Sequence, residues 1–453
     1  MLKTPRVYFL NLLLIFFGIF VVYSLVFNIN LIENDHFICT EVKEFEKRIF
    51  NNDINYSFPK SCDQDYYYQG FINPRSIIET NHPYQTRPLY VSSVFAISKI
   101  LDIFLNIDEI PLTQISAIIN HSLILLISIV LIKKALGIEE SSIKKEVLLT
   151  LLLLNPIMKW GIFLPSNQTN SFLVISLLFY ISKKAQLINF LLTSFVLGLL
   201  ILIYRPFALC FVVLAFYIIK ENRNLFSKLQ EIIKNLILFL MPWYLYQSLI
   251  RFLGYTPYDD LANTWGQFRW LTNYLIRPVN FLSDKIIGQP VLDRKNYSGG
   301  WHCAELPDNF ICYFVDNMYS FVYMGIPIII TTIFIKKVSP IETDILNKVL
   351  AIFLLVYSFF SLIGWYPPLR FTLYSLANIY FLIIAILILK NELNIESLFH
   401  FIGIGLYFFG LNHWNAPSIV IVNFFMILGL ILSSISLYNP EKLIKKFVSQ
   451  RID

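Results

Sequence analysis

Two carboxylates, Asp63 and Asp65, stand in the run DQDYYYQGF, and a guanidinium, Arg87, follows in YQTRPLY directly before Pro88. A carboxylate can take a proton from an attacking hydroxyl, and an arginine can hold a departing phosphate through paired N–H donors, so these residues suit group transfer from a phosphate-linked donor. The competing reading is a solvated loop whose acid and base form a rim ion pair worth under about 1 kcal/mol. Glu33 and Asp35, further upstream, are rival acids. Arg205 in LIYRPFAL and Arg370 in YPPLRFTLY lie at the ends of apolar runs, where they could join Arg87 around a phosphate or simply snorkel toward water. Tyr67, Tyr84, Trp265 and Trp301 offer flat faces on which a sugar ring can stack, and an interfacial aromatic belt would use the same residues.

The elements that must position these groups are apolar. The 453 residues are 56% hydrophobic and 15% charged, against roughly 45–50% and about 25% in ordinary soluble domains. Several runs reach the ~20 residues that a helix needs to cross a bilayer. The expected class is therefore an all-α polytopic membrane protein. Its net charge of +6 marks cytoplasmic loops and not a nucleic-acid partner. The run ending near Phe27 is too long and apolar for a signal-peptide core and lacks an A-x-A site, so it reads as a retained first transmembrane helix over 1–27.

Placing the lysine clusters on the cytoplasmic side fixes the remaining path. Paired spans are expected at 146–164 and 167–182, 187–204 and 206–219, 235–253 and 317–335, 348–365 and 371–389, then 397–411 and 417–437. The segment 89–105 carries Ser92, Ser93, Ser98, Lys99 and Asp102 and reads as an amphipathic helix in the outer interface, which leaves 112–132 as the second span. The layout is an extracytoplasmic loop with juxtamembrane helices over 28–111, transmembrane helices over 112–253, a second extracytoplasmic loop over 254–316, and transmembrane helices with a cytoplasmic tail over 317–453. About twelve spans result, with both termini cytoplasmic and the chain in the cell's inner (plasma) membrane.

Cys39 and Cys62 fall in the first outer loop, Cys303 and Cys312 in the second. In an oxidising compartment two local bridges would each contribute ~3 kcal/mol, although four cysteines allow three connectivities. The histidines are scattered, so no metal site is expected from spacing. No cofactor is required by the motifs. Outer carboxylates beside a phosphate could nonetheless take Mg²⁺ or Mn²⁺.

The run D-Q-D-Y-Y-Y, the step Asn73-Pro74 and Y-Q-T-R-P-L-Y over 84–90 together resemble the first outer loop of bacterial GT-C glycosyltransferases. Those enzymes carry an Asp-Gly-Gln-aromatic-Tyr run, an N/D-P step and a Tyr-x-x-Arg-x-Leu-Tyr-Pro run. Asp63, Arg87, Leu89 and Tyr90 match, whereas Gln64, Asp65 and Val91 depart from the pattern. The resemblance implies a GT-C-like fold and transfer of a sugar from a polyprenyl-phosphate donor to a glycan, lipid or protein acceptor on the outer face, with inversion. It implies a first-loop acid as base, Asp63 or else Asp65 or Asp35, and Arg87, Arg370 and Arg205 on the donor phosphate. The alternatives are a multi-pass transporter, for which no repeat is evident, a lipid-linked polysaccharide polymerase or ligase, and an assembly protein without catalysis.

Overall fold

The structure, a computed structural model, describes residues 64–79, 83–105, 109–138, 169–221, 224–258, 327–332, 343–363 and 368–390, with short pieces between 142 and 149 and between 400 and 435. Of the described residues 90% are helical and none is in a strand. The chain is all-α in this sense. It divides into two units, Met1–Tyr258 and Asp259–Asp453.

Among the described residues of the first unit the helices are α1 (Gln64–Ile72), α2 (Pro74–Glu79), α3 (Pro88–Asp102), α4 (Glu109–Leu136), α5 (Asn170–Lys184), α6 (Phe190–Ile201), α7 (Ala208–Lys220) and α8 (Leu225–Phe252). Prolines open α2 and α3, where their missing N–H costs nothing and their fixed φ suits the first turn. Asn189 and Asn224 cap α6 and α8, accepting from Leu192 N at 3.1 Å and Ser227 N at 2.8 Å.

Gly137 and Gly254 end α4 and α8 in the left-handed region, at φ 69° and 85°. In each case the next residue's N–H reaches back five residues, Ile138 to Lys133 O at 2.9 Å and Tyr255 to Ile250 O at 3.1 Å. The glycine N–H bonds the carbonyl three residues back, Lys134 and Arg251 respectively. This paired arrangement satisfies last-turn carbonyls and turns the chain back on itself. Near the end of α4, Lys133 forms a buried ion pair with Glu146.

Among the described residues one stretch, Ile115–Leu136, is long and apolar enough to cross a bilayer. It overlaps the run 112–132 singled out in the sequence. The run 187–204 is not one helix: α6 stops at Ile201, a 12-residue helix about 18 Å long at 1.5 Å per residue. Its carbonyl end is then drawn into a turn. Conversely α8 starts at Leu225, well before residue 235, because LFSKLQEIIK continues the helix with good helix formers.

Helix pairs α3–α4, α4–α5, α5–α7 and α6–α8 carry the packing of this unit. The α6–α8 crossing is a close approach. Ser194 donates to Asn235 Oδ1 at 2.7 Å, and Asn235 donates to Glu231 O at 2.9 Å. One turn further along, a Cβ on Gly198 would lie 2.2 Å from the Phe239 carbonyl oxygen and 3.0 Å from Pro242 Cδ. Only a residue with no side chain fits.

In the second unit α9 (Thr343–Ile363) packs on α10 (Pro368–Lys390), whose residues from Asn378 to Leu389 are buried on every face. Such all-round burial marks an inner helix. In the same unit His400 Nε2 lies 3.0 Å from Thr331 Oγ1, and Gly403 and Gly429 let two backbones touch.

Gly198→Leu should prevent α6 and α8 from closing and cost about 1–3 kcal/mol, as overpacking typically does. The check is a lowered Tm of the purified protein, with Gly198→Ala showing a smaller drop.

Candidate functional site

The 3₁₀ turn Pro83–Thr86 leads into α3, and Gln85 within it is buried. Its side-chain amide donates to Ile78 O at 3.0 Å and Thr256 O at 3.3 Å, and its Oε1 accepts from the Tyr258 N–H. Its own carbonyl accepts from the Tyr246 hydroxyl at 2.6 Å. One residue therefore ties the end of α2, the body of α8 and the stretch of chain after Gly254 to a single point. Outside it, Tyr255 donates to Glu79 at 3.1 Å and Arg75 pairs with Glu79 at 3.0 Å.

Arg87 occupies the N-cap position of α3, yet its side chain makes no capping bond. Its guanidinium donates instead to the Tyr67 hydroxyl on α1. Two residues on, the Leu89 N–H, an orphan donor of the first turn, bonds Leu202 O at 3.2 Å where α6 ends. That bond sets the start of α3 against the α6–α7 junction. Arg205 opens the 3₁₀ turn Arg205–Phe207 at that junction, with its guanidinium 5.6 Å from the centre of the Trp243 ring on α8.

The two cations feel one another. Burial, followed by the like charge of Arg87, lowers Arg205 to about 9, while Tyr258 pulls in the opposite direction. A guanidinium remains protonated at neutral pH, so burying it beside a like charge carries an electrostatic cost. Around them stand aromatic groups. Tyr67, Phe71 and Tyr90 form mutual contacts, with Tyr67–Tyr90 edge to face at 5.4 Å and Phe71–Tyr90 at 5.6 Å. Tyr204 is within electrostatic reach of Arg87. Burial raises the Tyr90 hydroxyl well above the usual tyrosine range, so it stays a neutral hydrogen-bonding group. Chemically this is a cluster of two guanidiniums and phenolic hydroxyls, groups of the kind that hydrogen-bond to anions.

Of the residues singled out in the sequence, the structure brings together Arg87, Arg205 and Tyr67. Asp65 lies in the first turn of α1, Tyr84 in the 3₁₀ turn before Arg87, and Arg370 in the first turn of α10 in the second unit. Asp63, Asp35, Cys39, Cys62, Cys303, Cys312, Trp265 and Trp301 lie outside the described residues. Among the described residues no three His, Cys, Asp or Glu side chains gather as a metal-binding group.

Gln85, His121, Trp243, Tyr246 and Tyr258 were not marked by the sequence. Gln85 had a signal in retrospect, since a polar amide sits inside an aromatic run. The others had none, because their role depends on which helices meet.

No protein-family model, curated protein or solved structure matches the chain. Fold and site together define a chain that is helical in its described residues, with two arginines set among aromatic side chains at one helix junction.

Arg205→Gln should remove the charge penalty and leave the protein equally or more stable at neutral pH. The sign follows from the lowered value. Below about 9 the folded state bears the cost of the charge, and wild-type stability rises as the pH climbs above that, since the unfolded chain keeps its proton longer. Pyrophosphate should stabilise the wild type, by about 2.7 kcal/mol at a hundredfold excess over Kd. It should stabilise Arg205→Gln much less. Thermal melts with and without pyrophosphate decide both points.

Proposed function

We propose that the protein is a GT-C-type membrane glycosyltransferase that moves a sugar from a polyprenyl-phosphate donor to an acceptor on the outer face, with about twelve helices spanning the bilayer. The observation that carries this reading is the junction where the Leu89 N–H meets the Leu202 carbonyl, which sets Arg87 at the start of α3 and Arg205 just after α6 at one place. Two guanidiniums with phenolic hydroxyls nearby match the oxygens of a lipid-linked phosphate. The motif around Asp63 supports it from the sequence side.

In this reading the acceptor hydroxyl oxygen bonds to the anomeric carbon as the bond from that carbon to the phosphate oxygen breaks. The bonding pair leaves on the phosphate, where Arg87 and Arg205 balance its charge. The hydroxyl proton passes to a first-loop carboxylate, Asp63 or else Asp65 or Asp35. Attack from the opposite face inverts the anomeric centre. The acceptor is a glycan, lipid or protein hydroxyl, and Tyr67, Tyr84, Trp265 and Trp301 are the candidate stacking faces. Cys39, Cys62, Cys303 and Cys312 would brace the outer loops. No step is assigned to a divalent cation.

The test is release of free polyprenyl phosphate, followed by mass spectrometry, from a panel of polyprenyl-phosphate sugars with membranes as acceptor. Wild type should release it. Arg87→Gln should slow release by about 100-fold, the scale on which transition-state charge stabilisation acts. Asp63→Asn should abolish release if Asp63 is the base, and residual full activity would move that role to Asp65 or Asp35. No release with any donor would favour a transporter or a polysaccharide polymerase or ligase.

A further inference from the structure

His121 lies in α4 inside the apolar run Ile115–Leu136, where it is completely buried. A titratable ring in such a run is costly unless a specific partner receives it. One partner is the Tyr90 hydroxyl, 2.9 Å from His121 Nε2, and the two rings lie parallel within 3° with centres 6.0 Å apart. Tyr90 is itself fully buried, in the first turn of α3, and it sits in the same core cluster as Tyr67, Phe71, Val91, Val94 and Ala117.

Tyr90 follows Arg87 by one helical turn, and the Val91 N–H bonds Arg87 O at 3.4 Å. The start of α3 is thereby held at two side chains. Arg87 reaches Tyr67 on α1, and Tyr90 reaches His121 on α4. The Tyr67 ring that receives Arg87 rests edge-on against the Tyr90 ring. A rotation of Tyr90 would carry Tyr67 and the guanidinium with it.

We propose that His121 is a positioning residue for Arg87: by holding the Tyr90 hydroxyl it fixes the first turn of α3 and the ring that receives the guanidinium. His121 itself touches no anion. Its bearing on substrate affinity rests on the reading of Arg87 as a phosphate holder, whereas its effect on the placement of Arg87 does not.

Two substitutions separate the hydrogen bond from ring packing. His121→Phe keeps a flat ring and deletes the bonding nitrogen; His121→Gln loses the ring and keeps a group that can bond the Tyr90 hydroxyl. The first readout, on purified full-length protein, is the rate at which phenylglyoxal modifies Arg87, resolved by peptide mass spectrometry. His121→Phe should speed modification by about tenfold, the equivalent of one buried hydrogen bond lost. His121→Gln should return it close to the wild-type rate. Tyr90→Phe should match His121→Phe, and the double variant should add nothing further, as two partners of one bond behave.

The second readout is binding of farnesyl phosphate, which should weaken in His121→Phe, recover in His121→Gln and be lost in Arg87→Gln. Unchanged Arg87 reactivity in His121→Phe, or damage confined to His121→Gln, overturns the inference in favour of ring packing. Should His121→Phe fail to fold, Tyr90→Phe, which removes one oxygen, decides between bond and packing by the same change in rate. Normal farnesyl phosphate binding by Arg87→Gln, or none by wild type, overturns the phosphate reading and leaves the positioning of Arg87 to be judged by its reactivity.

Discussion

A single backbone hydrogen bond, from Leu89 N–H to the Leu202 carbonyl, organises the described part of the site. Each partner is a group that a helix end leaves over: a first-turn donor of α3 and a carbonyl just beyond the last turn of α6. In an apolar chain such leftovers are expensive, and joining them answers both needs at once. The geometric result is that Arg87, two residues before the donor, and Arg205, three residues after the acceptor, lie at one junction. Neither arginine had to find the other by its own chemistry. The Gln85 amide then secures the approach to that junction by binding the chain on both sides of it.

Two cations held this way carry an electrostatic cost, which contacts around them offset. The Trp243 face attracts Arg205 by about 0.5–2 kcal/mol, as such contacts do. Tyr67 accepts from Arg87 but brings no negative charge. The same balance explains why burial matters here: in water the two guanidiniums would be screened, and their pairing would have little consequence.

The helical character of the chain was legible in its apolar runs, and several boundaries were legible in single residues. Pro74 and Pro88 open helices, Gly137 and Gly254 close them, and Arg205 with Pro206 marks a junction. The early end of α6 was not legible. VLGLLILIY contains no residue that must stop a helix, and the stop coincides with a contact from α3, which no local pattern announces. Likewise Tyr90 looked like one more motif aromatic and His121 like one scattered histidine. Their pairing spans 31 positions of sequence and becomes visible when α3 lies on α4. The proposed catalytic acid stands differently: Asp63 was singled out by its motif, and it lies outside the described residues.

The contact between Arg205 and Trp243 has an optical consequence. An indole with a guanidinium over its face emits in a field set by that charge, and any anion that draws the guanidinium aside alters both the field and the quenching of the ring. The protein thus carries a native fluorophore beside Arg205. A shift of that guanidinium would register in the emission of Trp243, one of seven tryptophans in the chain.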